Sequence, residues 1–65
     1  MHHAVLPLFL TAKEAASLIA MPASWVYAEA RRYQDTRGRE GIPCKRFGRA
    51  VRIPRDEFTE WIATR

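Results

Sequence analysis

The sequence predicts a mainly α-helical domain with one small β-hairpin: three helices and a two-stranded hairpin around a single core. Three observations carry that reading. A capping pair at Thr11 and Glu14 opens a helical apolar pattern, Pro22 separates it from a second one, and a basic alternating stretch between Pro43 and Pro54 leads into a third. A chain of 65 residues makes one domain, expected over 1–65 with its ordered part at about 9–63. At that size folding buries roughly 60% of the unfolded surface, so stability is modest. Hydrophobic residues form 48% of the chain, enough for a compact core.

The first helix is expected from Ala12 to about Ala20. Thr11 and Glu14 each satisfy the other's free backbone N–H, Leu10 packs back on the first turn, and Ala15, Leu18 and Ile19 form the inward face. Met21-Pro22-Ala23 reads as a turn, since Pro22 ends one helix and suits the opening of the next. The second helix is expected from about Ala23 to Tyr33, with Val26, Ala30 and Tyr33 inward and Ser24, Tyr27, Ala28, Arg31 and Arg32 outward. Two short helices joined by so tight a turn can form a helix-turn-helix, an arrangement that also occurs as plain core architecture.

From Gln34 to Gly41 the sequence has two glycines and no apolar residue, and is expected to be a surface loop free to move. The hairpin follows. If Phe47, Val51 and Ile53 face the core together, its loop must hold an odd number of residues, Gly48 to Ala50, and Arg46 and Arg52 fall on the opposite face. The third helix is expected over Arg55 to Thr64, with Asp56 and Glu57 near its N-terminus and Phe58, Trp61 and Ile62 closing the core.

The net charge is +4, and its distribution is more informative than its sum. Between Arg31 and Arg55 lie nine of the eleven Lys and Arg residues against Asp35 and Glu40 alone, a local excess of seven positive charges. Such a segment either attracts a polyanion or is a solvated face; its interleaving with a strand pattern favours the polyanion.

The ordered set Leu10-Thr11, Glu14-Ala15-Ala16, Val26-Tyr27, Pro43, Lys45-Arg46, Gly48-Arg49, Arg52-Ile53-Pro54 and Trp61 resembles the excisionase (recombination directionality factor) family, related to the MerR-type winged helices. The resemblance covers about Phe9 to Ile62. It implies a winged helix-turn-helix, three helices plus a two-stranded wing, from a phage or mobile element. It further implies a protein that binds and bends attachment-site double-stranded DNA, associates cooperatively with copies of itself there, and assists an integrase in excision in the cytoplasm of a bacterial host, with the nucleoid. By position, Ser24, Trp25, Tyr27, Ala28, Arg31 and Arg32 would lie on the recognition helix, and Lys45, Arg46, Gly48, Arg49 and Arg52 on the wing, with Arg49 at its tip suited to a minor groove. Two departures stand out. Ala23 and Ala28 replace polar or basic side chains usual in the family, and the 34–41 loop is longer than usual. Base readout is therefore expected to be weak, with specificity leaning on phosphate contacts and DNA deformation.

Other readings remain open at this stage. A small transcriptional regulator uses the same fold; the third helix reaches Arg65 without an effector domain, which favours the recombination factor. A protein-interaction adaptor would dock through Trp25 or Tyr27, and positive charge alone does not separate DNA from RNA. Trp25 itself fits a groove contact or a core filler equally. An enzyme is disfavoured, because no acid–base pair or phosphate-binding glycine loop is present. No cofactor is expected. His2 and His3 lack partners at metal-ligand spacing, and Cys44 has no second cysteine or catalytic partner, which fits a reducing compartment. The apolar stretch Ala4 to Leu10 is broken by Pro7 and too short to span a bilayer or serve as a secretory signal, so no membrane role is expected.

Overall fold

The computed structural model describes residues 8–65. The chain forms β1 (Phe9–Leu10), α1 (Ala12–Leu18), α2 (Ala23–Asp35), β2 (Lys45–Phe47), β3 (Ala50–Pro54) and α3 (Arg55–Ala63). Three helices thus pack with a three-stranded antiparallel sheet of order β1-β3-β2, one strand more than the sequence predicts. The additional strand is short: Phe9 pairs with Pro54 and Leu10 with Ile53, and the Arg55 N–H donates to the Leu8 carbonyl at 2.8 Å.

α1 begins where the capping box requires. The Glu14 N–H donates to Thr11 Oγ1 at 3.1 Å and the Thr11 N–H to Glu14 Oε1 at 2.9 Å. Its buried stripe is Ala12, Ala15 and Ala16 with Ile19 packed alongside, so Leu18 falls outside it and stands 67% exposed, against expectation. The helix also stops earlier than predicted. Ala20 adopts φ +55°, and the N–H groups of Ala20 and Met21 donate to the carbonyls of Ser17 and Ala16, a Schellman closure without glycine.

α2 runs two residues past the expected end. Val26 and Ala30 are fully buried and Tyr33 partly so, as the spacing predicts. The real stop is another Schellman closure, with Arg37 at φ +55° and the Gly38 N–H donating to the Tyr33 carbonyl at 2.8 Å. The following loop is hydrogen-bonded back to α2. Thr36 Oγ1 donates to the Arg32 carbonyl at 2.8 Å and accepts from the Glu40 N–H at 3.0 Å, and the Ile42 N–H donates to the Glu29 carbonyl at 3.2 Å. Gly41, at φ +90°, lies so close to α2 that a β-carbon there would sit 2.3 Å from the Glu29 carbonyl oxygen. That close approach seats Ile42 in the core, where it is fully buried.

The hairpin register corrects the predicted one. Phe47 pairs with Ala50, Arg46 with Val51 and Lys45 with Arg52, leaving a two-residue turn of Gly48 and Arg49. Gly48 has φ +63° and Arg49 does not share it, the dihedral signs of a type II′ turn. Opposed residues share a face, so Arg46 joins Val51, with Cys44 and Ile53 inward, while Phe47 lies on the other face with Lys45, Ala50 and Arg52. Phe47 is 52% exposed, and its partner is Phe9 of β1, edge to face at 5.4 Å between centroids. The unforeseen strand supplies the apolar neighbour that lets Phe47 leave the core.

α3 packs through Phe58, which is buried, and through Trp61, whose ring lies 6.3 Å from that of Phe58 and 6.4 Å from that of Trp25.

The two turn glycines should respond differently to alanine. Gly41→Ala meets both a positive φ and a backbone clash and should cost about 3 kcal/mol, whereas Gly48→Ala meets only the dihedral penalty of about 1–2 kcal/mol. Thermal unfolding followed by circular dichroism checks the order; equal losses would contradict the loop packing.

Candidate nucleic-acid interface

An open cleft of about 510 Å³ lies between α2 and the hairpin. One wall is helical: Tyr27, Ala30, Arg31, Gln34 and Asp35 recur at the spacing that places them along one flank of α2. The other wall is Arg46, Arg49 and Val51, which the two-residue turn turns toward the helix. Val51 and Ala30 form an apolar floor, and the polar rim holds three guanidinium groups and one carboxylate. Among the described residues Arg31, Arg46 and Arg49 have no acidic partner within ion-pair distance, so their charge is available to an outside anion. Tyr27 stands 54% exposed at the rim, its phenol able to donate or accept.

The sequence-nominated residues divide into groups. Tyr27, Arg31, Arg46 and Arg49 meet in the cleft. Ser24 and Ala28 lie on the exposed surface of α2 outside its lining, and Gly48 is at the hairpin tip. Lys45 and Arg52 belong to the opposite hairpin face, and Arg52 is half-buried with Nη1 donating to the Val51 carbonyl at 3.0 Å. Trp25 is partly buried and lies outside the cleft lining, its ring 6.4 Å from that of Trp61 on α3. Arg32 is engaged within the chain: Nε and Nη2 both donate to Glu40 Oε1, at 3.0 and 2.8 Å. That bond, and then the charges of Glu40 and Glu29, hold its guanidinium charged even more firmly than usual.

No family model, curated protein or solved structure matches the chain in comparisons with known proteins.

Ala30, Gln34, Asp35 and Val51 line the cleft without being named by the sequence as site residues. Gln34 and Asp35 read as loop because the last polar residues of a helix resemble the first of a loop, but the first residue hostile to helix is Gly38, and a helix extended toward it puts Gln34 seven residues after Tyr27 on the same flank. Among the described residues no three His, Cys, Asp or Glu side chains gather as metal ligands, and no helix is long and apolar enough to cross a membrane. His2 and His3, and all of the Ala4–Leu10 stretch before Leu8, lie outside the described residues.

Cys44 is a core residue. It is buried beneath the cleft with Sγ donating to the Ala30 carbonyl at 3.4 Å, and burial pushes the thiol pKa up, against a smaller opposing hydrogen bond with Gln34. The neighbouring Lys45 and Arg46 do not outweigh that desolvation. A raised folded pKa keeps the thiol neutral where an unfolded one begins to ionise, so iodoacetamide at mildly alkaline pH should label the native protein far more slowly than the urea-unfolded chain. Labelling at the unfolded rate would contradict this burial.

Proposed function

We propose that the chain is a DNA-binding protein of the winged helix-turn-helix type, α2 entering the major groove and the β2–β3 hairpin serving as the wing. One observation carries the proposal: Arg31 from the helix and Arg46 and Arg49 from the hairpin converge on one cleft without acidic partners among the described residues. Guanidinium groups suit phosphate oxygens because they offer several donors in a fixed plane, and three at fixed spacing fit a regular polyanion better than a single small anion.

The exposed surface of α2 offers little for base reading. Ser24 is short, Ala28 is apolar, Arg32 is held by Glu40 and Arg31 joins the hairpin arginines in the cleft, which leaves Tyr27 and Gln34 as the polar side chains of this flank for a base edge. Recognition by phosphate contacts and DNA deformation follows, which is the economy of an architectural protein. Together with the excisionase resemblance, this supports a recombination directionality factor that bends attachment-site DNA, self-associates along it and assists an integrase. A transcriptional regulator would use the same interface in another setting.

Fluorescence anisotropy on duplex DNA across a salt series tests the binding. The three cleft arginines contribute about −2.7 to the log–log salt slope, at about 0.9 per phosphate contact. Arg46→Ala or Arg49→Ala should each flatten the slope by about 0.9 with the melting temperature unchanged, while Arg52→Ala, half-buried on the other face, should disturb binding less. A gel-shift and circular-permutation bend assay on attachment-region DNA separates the roles. Stepwise cooperative shifts with a bend support the recombination factor, and a single unbent complex at a promoter supports the regulator. No salt-dependent binding to any duplex would overturn the DNA reading in favour of a protein-interaction adaptor.

A further inference from the structure

We propose that the loop from Thr36 to Gly41 is a second, separately built phosphate-binding element, in which Arg37 and Arg39 grip the DNA backbone beyond the C-terminal end of α2. The inference rests on the DNA-binding reading above and adds a contact surface outside the helix and hairpin.

Four observations converge on it. The loop presents Arg37 and Arg39 exposed, and neither has an acidic partner within ion-pair distance among the described residues. Its own carboxylate, Glu40, is consumed by Arg32 at 2.8 Å, which leaves the loop's outer side cationic. The loop is anchored by the Thr36 hydroxyl, by that ion pair and by the close seat of Gly41 on α2, so the two guanidinium groups start from a fixed base and lose less entropy on contact. Finally, Asp35 lines both the α2–hairpin cleft and the adjoining depression of Thr36, Arg37, Arg39 and Glu40, so the two surfaces abut, with the Asp35 carboxylate between their arginines.

The backbone at Arg37 adds a handle for the test. Its φ of +55° belongs to the position of a Schellman closure where glycine is favoured, yet the chain has arginine there and glycine one residue later. A purely structural arginine at a helix C-terminus gains from the helix dipole, and replacing it would then change stability alone. A phosphate-gripping arginine gives a different pattern: Arg37→Gly relieves the strained dihedral, so the melting temperature holds or rises while DNA binding weakens.

The measurement is the anisotropy salt series on a mixed-sequence duplex, with wild type, Arg37→Gly, the double variant Arg37→Ala/Arg39→Ala, and Lys13→Ala as a net-charge control outside both depressions. The double variant should flatten the salt slope by about 1.8, at about 0.9 per lost contact, and weaken binding several-fold more than Lys13→Ala. Arg37→Gly should flatten it by about 0.9 without loss of melting temperature. If wild type binds and the loop variants match the Lys13→Ala control, the loop contact is wrong while the cleft reading stands. If wild type shows no salt-dependent binding, both fall together.

Discussion

The register of the β2–β3 hairpin decides the character of the whole α2-facing surface. Side chains alternate along a strand, so adding one residue to the turn would exchange the side chains of β2 between faces while those of β3 stayed in place. With Gly48 and Arg49 alone in the turn, Cys44 and Ile53 go to the core and Arg46 and Val51 continue that face outward to meet α2. A three-residue turn would have put Phe47 there and sent Arg46 away. The cationic cleft is thus set by a backbone turn, and the turn is affordable because β1 supplies Phe9 to cover Phe47 on the other side.

α2 is held from both ends of that arrangement. On its inner side Val26 and Ala30 meet small alanines of α1 and the fully buried Ile42 and Ile53, a contact of small against branched side chains that permits close approach. At its C-terminal end the loop folds back, joined by the Arg32–Glu40 pair and by Gly41 lying against the Glu29 carbonyl. The exposed ion pair contributes little energy by itself, since its charges remain in water. Its larger effect is to remove Glu40 as a competitor for the neighbouring arginines.

The helices were legible because their signals are local. A capping box, a proline at a helix entry and apolar residues at helical spacing fixed the starts of α1, α2 and α3 closely, and named Val26, Ala30 and Phe58 as inward. What the sequence hid depends on distant partners. A strand of two residues has no period to detect, so β1 passed for a helix lead-in, and without it Phe47 had no visible home outside the core. Ile42 sits beside Gly41 in a polar stretch, and its burial follows from a loop-to-helix seat that no spacing rule encodes. The same limit applied to the site: the arginines were named as a set, but which of them converge depended on hairpin register and on the capture of Arg32 by Glu40.

If the chain binds DNA as proposed, these constraints bear on how it discriminates among sequences with so few groups for base edges. A flexible set of cations would follow any phosphate backbone and discriminate nothing. Arg31 on a helix, Arg46 on a strand and Arg49 at a two-residue turn start instead from backbone positions fixed relative to one another by the core beneath them. Phosphates at the wrong spacing then cost either a lost contact or a deformation of the duplex, and the deformation is cheaper for some sequences than for others. In the DNA-binding reading, specificity therefore resides in the stiffness of the scaffold between the arginines as much as in the arginines. Buried residues such as Ile42 and Ile53 belong to recognition by the same reasoning, because they maintain the spacing that the cations present.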